Sequence, residues 1–365
     1  MTDRQVIGLA LSGGGFRASA FHLGCLRALH DRDLLERVQV VSGVSGGALL
    51  AALWAYGPED FGQFDAEVVE LLRHGLQGEM VRRVFRPAAI VRNMRAATAT
   101  AMRILPGVPN PPLARRANRT DALAVALQEM VFADKTMPSV THPHLRVVLS
   151  ATDLYTTNAV RFGSARSSCS RYGTITEPIR VASAVAASAA FPLFLPAVER
   201  EYTFERDDRR QRETVLLTDG GVYDNLGLSI FDPNRSTAFS EHVERVPYIV
   251  CCDAGRGQMV KRSPHFLPAR AKRAFEVVHR KAQDAARSRL HEWAANGQIQ
   301  GFVMAYLGMN DSRLPMPIAD LVPRADVADY GTNFSAMSAT NVDRLARRGE
   351  QLVRALLPYY CPELC

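Results

Sequence analysis

Residues 43–47 read Gly43-Val44-Ser45-Gly46-Gly47, a Gly-x-Ser-x-Gly pentapeptide placed between two unlike elements. Before it, Val38-Gln39-Val40-Val41 is a short β-branched run, and after it, Ala48-Leu49-Leu50-Ala51-Ala52-Leu53-Trp54 is continuously apolar, as in a buried helix. A strand that turns sharply into a helix with serine at the corner is the form of a nucleophile elbow, and it requires an α/β framework. Gly43 and Gly47 give the backbone room at that corner, so the Ser45 hydroxyl can stand clear at a helix N-terminus. The competing reading is a Gly-rich helix start with Ser45 as a capping hydroxyl.

A second glycine turn opens a second helix. Val6-Ile7-Gly8-Leu9-Ala10-Leu11 is an apolar run ending in Ser12-Gly13-Gly14-Gly15-Phe16-Arg17, and Ala18, Phe21, His22, Cys25, Leu26 and Leu29 follow at helical spacing. Consecutive glycines bare backbone N–H groups, and at a helix N-terminus these donors and the dipole make an anion site in which a developing oxyanion could sit. Gly13-x-Gly15-x-x-Ala18 also fits a dinucleotide fingerprint loosely. That reading fails in context, because the next strand ends at Val41-Ser42 with no carboxylate to hold a ribose. Arg17 suits an anionic head group or intermediate, or equally a surface position on the first helical turn.

A third element, Val215-Leu216-Leu217-Thr218-Asp219-Gly220-Gly221, is a strand ending in a carboxylate, at the edge where α/β sheets collect functional residues. With these motifs in this order, the chain resembles the bacterial patatin-like phospholipases. The likeness rests on Ser12 to Arg17 as an oxyanion loop, Gly43 to Gly47 as the elbow, Asp219-Gly220-Gly221 as the acid-base motif, and Ala187-Ser188-Ala189-Ala190-Phe191-Pro192-Leu193-Phe194-Leu195-Pro196 as the family's Ala-Ser-x-Ala-x-Pro segment. Thr332-Asn333-Phe334 resembles a C-terminal feature of the bacterial members. Gly46 departs from the usual pattern, where a residue other than glycine often stands.

The resemblance implies acyl transfer by a Ser45-Asp219 dyad, with Gly13, Gly14, Gly15 and Arg17 at the oxyanion and Gly43, Gly47, Gly220 and Gly221 as supporting turn residues. A Ser-Asp-His triad would instead draw on His242, His265, His279 or His291, none of which follows a strand in a turn-like context. An unperturbed aspartate, with a pKa of about 3.9, is a feeble base, so a dyad needs Asp219 partly desolvated and the oxyanion strongly held.

The alternation of elements predicts a single domain over residues 1–365: an α/β fold, a three-layer α/β/α sandwich with a mostly parallel central sheet. Strands are expected at 6–11, 38–42, 145–150, 159–163, 215–218, 247–252 and 301–306. Helices are expected at 17–30, 46–56, 179–190, 268–293 and 339–357, with a helical cap insertion at about 57–140. No apolar stretch approaches the roughly 20 residues of a membrane span. The six cysteines lack metal spacing and read as free thiols of a reducing compartment, and neither metal nor cofactor is expected.

Charge adds a second clue to the 44 basic and 37 acidic residues. Arg82, Arg83, Arg86, Arg92, Arg95, Arg103, Arg115, Arg116 and Arg119 occur with no Asp or Glu between Glu79 and Asp121. Apolar residues interleave them, so the arm reads either as an amphipathic lid for an anionic membrane surface or as an ordinary solvated cap. A cytoplasmic protein peripherally associated with the inner face of the membrane fits this pattern. Nucleic-acid binding is disfavoured, since aromatics are not interleaved with the arginines. Arg270, Lys272, Arg273, Arg280, Lys281, Arg287 and Arg289, which are mixed with Glu276 and Asp284, read as a solvated face. The expected activity is thus a phospholipase A-type release of fatty acids from phospholipids or other lipid esters. The alternative is a cyclic-nucleotide-gated lipase or a non-catalytic ligand-binding relative.

Overall fold

The computed structural model describes residues 5–84, 118–192, 194–257 and 266–365. The strands are β1 (Ile7–Leu11), β2 (Val38–Val44), β3 (Arg146–Asp153), β4 (Ala159–Gly163), β5 (Ser167–Cys169), β6 (Gly173–Ile175), β7 (Val198–Arg206), β8 (Arg209–Asp219), β9 (Tyr248–Asp253) and β10 (Gly301–Tyr306). The helices are α1 (Gly15–His30), α2 (Gly46–Tyr56), α3 (Phe61–His74), α4 (Gln77–Val84), α5 (Arg119–Leu127), α6 (Val181–Ser188), α7 (Gly221–Asp224), α8 (Leu267–Ala295), α9 (Arg324–Val327) and α10 (Ala339–Tyr360).

The sheet runs in the order β10-β9-β1-β2-β3-β4-β5-β6-β7-β8 and is mixed. From β10 to β3 every pairing is parallel, as expected from the alternating elements. From β3 to β8 every pairing is antiparallel, which corrects the expectation of a mostly parallel sheet. The joins after β4, β5 and β7 are tight turns, and a parallel crossover needs a dozen or more residues. The antiparallel half also curls back, because β8 pairs with β3 as well as with β7.

Alternation along the strands sorts the core into two clusters on opposite faces. Ile7, Leu9 and Leu11 of β1 pack with residues of α1, α2, α3 and α10. Ala10 points the other way, toward Leu226, Phe231 and the α8 residues Leu290 and Trp293. The strong periodicity of α10 buries Val342, Leu345, Ala346, Leu352, Val353 and Leu356 against α1, and Gly24 on α1 lets the two backbones close to contact at Ala346.

Arg348 on α10 is fully buried and acts as a clamp. Its guanidinium donates to the carbonyls of Leu307 at 2.8 Å, Val322 at 2.6 Å and Met309 at 2.9 Å, and pairs with Asp311 at 2.8 Å. Arg348→Met keeps the length but removes every donor, leaving buried acceptors unpaired. It should lower the unfolding free energy by about 3 kcal/mol or more in a denaturant titration.

Candidate active site

The register of the sheet brings two chain ends together. On β3, Ser150 pairs with Val44 of β2, and the next residue, Ala151, pairs with Asp219 of β8. Ala151 also pairs with Val160 of β4, so β4 occupies one edge of β3 while β2 and β8 share the other. β2 and β8 therefore approach tip to tip along that edge, which sets Ser45, the residue after Val44, against Asp219. Asp219 does stand at the end of its strand, but that strand arrives antiparallel to its neighbour, against the direction of the parallel half.

Ser45 caps α2 with φ 53° and ψ −118°, the strained corner conformation of an elbow. Its N–H donates to Ser188 Oγ at 3.0 Å, and the Ser188 hydroxyl donates onward to the Ser150 carbonyl at 2.6 Å. The Ser188 carbonyl in turn accepts from Gly220 N–H at 3.2 Å, and the Ala190 carbonyl from Asp219 N–H at 3.0 Å. The Ala187–Pro196 block thus ties the elbow to the Asp219 turn. Sequence reasoning singled out the block but not Ser188 as its pivot.

The Asp219 carboxyl is only 2% exposed. It accepts from Gly221 N–H at 2.7 Å and hydrogen-bonds with the Ser45 hydroxyl. Burial pushes it up to about 7, and these two hydrogen bonds act in the opposite direction.

The glycine loop lies directly over the elbow. Gly14 and Gly15 take positive φ, and a Cβ on Gly46 would overlap the Gly15 carbonyl. Gly46 is therefore required where the loop crosses the start of α2. We expect Gly46→Ala to push the loop off the elbow and lower activity by about 100-fold or more, read as kcat/KM on a soluble ester, because an ångström of misplacement costs that much.

Gly13 N–H donates to the Asn225 carbonyl at 3.0 Å, and a Cβ there would strike Asn225 Oδ1. Gly13 thus anchors the loop, while Gly14 N–H has no backbone acceptor among the described residues. Nothing in the sequence marked Asn225 for this part. Arg17 is buried, with Nε on the Ala254 carbonyl at 3.0 Å and Nη1 on the Tyr330 carbonyl at 3.0 Å and Thr332 Oγ1 at 2.8 Å. Burial lowers its pKa to about 9, with Arg256 adding to the shift and Asp253 opposing it. The Thr332-Asn333-Phe334 segment is the other half of this clasp: the Asn333 carbonyl accepts from Phe16 N–H at 2.9 Å, and the Phe334 ring meets Phe16 edge-on at 5.3 Å.

The histidines are placed elsewhere or otherwise engaged. His242 is buried among Arg161, Arg166 and Arg235, with burial and these cations pushing it down to about 3. His291 meets Phe302 edge-on at 4.9 Å. His279 approaches the site but hydrogen-bonds the backbone of Gly221, and burial lowers its pKa. His265 lies outside the described residues.

Of the arginine arm, Arg86, Arg92, Arg95, Arg103, Arg115 and Arg116 also lie outside them. Arg82 pairs with Glu79 at 2.6 Å, and Arg83 is buried between Glu79 and Glu129, so these two cations are structural pairs rather than a free basic face. No described helix is long and apolar enough to cross a membrane.

The family model of patatin-like phospholipases matches residues 9–232. Among solved structures, human GIVD cytosolic phospholipase A2 is similar with a TM-score of 0.55 at 14% identity, covering 97% of this chain and 59% of the human one. The same human protein in complex with methyl gamma-linolenyl fluorophosphonate gives 0.51 at 12% identity, covering 97% and 58%. At such identities the likeness is one of fold, and this chain spans about three fifths of the human chain's length. By sequence, no curated protein gives a significant match.

Proposed function

Since the chain belongs to the patatin-like phospholipase family, we propose that it is a lipid acyl hydrolase in which Ser45 attacks the ester and Asp219 takes its proton. The observation that carries this reading is the hydrogen-bonded pair of Ser45 hydroxyl and buried Asp219 carboxyl at the tips of β2 and β8. A carboxyl with a pKa near 7 is a far better base at neutral pH than an ordinary aspartate.

Ser45 Oγ bonds to the carbonyl carbon as its proton moves to Asp219, and the carbonyl π electrons collect on oxygen. The Gly14, Gly15 and Gly46 N–H groups, at the starts of α1 and α2, are the donors assigned to that oxyanion, each worth about 2.7–4 kcal/mol. Gly13 and Arg17 hold the loop in place. Collapse expels the alcohol of the lysolipid, which takes the proton back from Asp219. Water then attacks the acyl-serine, with Asp219 again the base, and a fatty acid leaves. In this reading α3, α4 and α5 belong to a cap over the site, and glycerophospholipids of a cytoplasmic membrane face are the substrates.

Fatty-acid release from a panel of phospholipids and neutral lipids tests the reaction. The human neighbour was solved with a lipid fluorophosphonate, and the same reagent should modify this protein at Ser45, as located by peptide mass. A protein that neither releases fatty acid nor takes up the reagent would overturn the proposal.

A further inference from the structure

The 29-residue α8 carries two apolar faces, and the fold accounts for one of them. Its C-terminal half buries Ala286, Leu290 and Trp293 under the sheet. Its N-terminal half touches the rest of the protein through Phe275 and His279, one turn apart. The Phe275 ring meets Phe191 edge-on at 6.1 Å and stacks on His279 at 5.6 Å, and His279 holds the backbone of Gly221, two residues from Asp219.

On the outer side, Leu267, Ala271, Ala274 and Val278 follow at i, i+4, i+7 and i+11, so they form one stripe, and all are exposed. Leu267 is 74% and Val278 68% exposed, and Phe194, stacked on Phe191 at the rim of the site, is 48% exposed. Packing among the described residues gives no reason for a stripe of this kind to face solvent.

Of the charges on this helix, the ones left unpaired are basic. Arg273 is matched by Glu276, and Arg280 and Arg287 by Asp284. Arg270, Lys272, Lys281 and Arg289 have no acidic partner among the described residues. An apolar stripe bordered by unpaired basic side chains matches an anionic bilayer, with the stripe among acyl chains and the cations at the phosphates.

We propose that the outer face of α8 is the surface by which this protein docks on an anionic phospholipid membrane, bringing the rim at Phe191, Phe194 and Phe275 against the lipid. The proposal rests on the hydrolase reading for its purpose, but not for its measurement.

The test uses the full chain carrying Ser45→Ala, so that vesicles are not consumed, with phosphatidylcholine vesicles with or without phosphatidylglycerol. The Ser45→Ala protein should co-sediment with the phosphatidylglycerol vesicles, less so as salt rises. Adding Leu267→Glu with Val278→Glu, or Arg270→Glu with Lys281→Glu, should each weaken partitioning about tenfold or more. In the Ser45 background, the same pairs should hydrolyse a monomeric short-chain ester at the unaltered rate, which also certifies folding. Partitioning unchanged by either pair overturns the proposal. So does a dimer that the Leu267→Glu/Val278→Glu pair splits without affecting vesicle binding, since a second copy would then cover the stripe. If no ester is hydrolysed while partitioning responds as stated, the docking surface stands and the hydrolase reading falls.

Discussion

Ser45→Ala should remove ester hydrolysis almost completely, by up to about a millionfold in kcat, while the thermal unfolding profile stays close to that of the parent. In the proposed reaction the hydroxyl is the attacking atom, and its loss deletes one side-chain hydrogen bond with Asp219 and almost no packing. The Ser45 N–H bond to Ser188 is made by the backbone and survives the substitution. A folded Ser45→Ala protein retaining more than a few per cent of activity would remove Ser45 from the reaction. The assay is initial rate on a soluble ester, with circular dichroism as the fold control.

Asp219→Asn should be nearly as inactive, because the amide still accepts from Gly221 N–H but cannot take a proton. Its pH behaviour is more diagnostic. In the parent, kcat/KM should fall about tenfold per pH unit below about 7, where burial keeps the base protonated. Stability should run the opposite way. The folded carboxyl holds its proton up to about pH 7, whereas an unfolded aspartate releases it near 3.8, so parent stability declines as pH rises between those values. Asp219→Asn has no such decline. The two proteins should be similarly stable near pH 4, and the variant should be the more stable at pH 8, by up to about 4 kcal/mol. Equal stability at pH 8 would mean that Asp219 is not held in the protonated form by burial, and the proposed base would lose its warrant. Single replacement of His242, His279 or His291 should leave the rate profile in place.

The parallel half of the fold was legible because buried strands and their helices write continuous apolar runs: the 46–56 helix and the 301–306 strand stand where their patterns put them. β7 and the first half of β8 were not, since Glu199, Arg200, Glu201 and Arg209 to Arg212 form a charged hairpin turning at Asp207-Asp208, both at positive φ. Their order comes from pairing with each other rather than from a hydrophobic face. The site motifs were readable because local geometry demands glycine, serine and aspartate at fixed offsets. Asn225 escaped notice because it acts through its backbone carbonyl on Gly13, and a carbonyl leaves no trace in residue type. The Arg17 clasp on residues 330–332 joins segments more than 300 positions apart, which no local pattern encodes. The outer stripe of α8 was hidden by its alanines and by the basic residues around it, which made the segment look merely solvated.

The crossing of the Gly15 carbonyl over Gly46 leaves no side chain at the point where α1 and α2 begin, only peptide groups. Whatever binds there meets main chain, which a substitution can displace but cannot change chemically. The nearby aromatic side chains are Phe191, Phe194 and Phe275. Under the proposed hydrolase reading, exchanging Phe191, Phe194 or Phe275 would change what acyl chain or head group is accepted, while the main-chain donors stay as they are. An engineer who wants a different substrate has that freedom, and that fixed point.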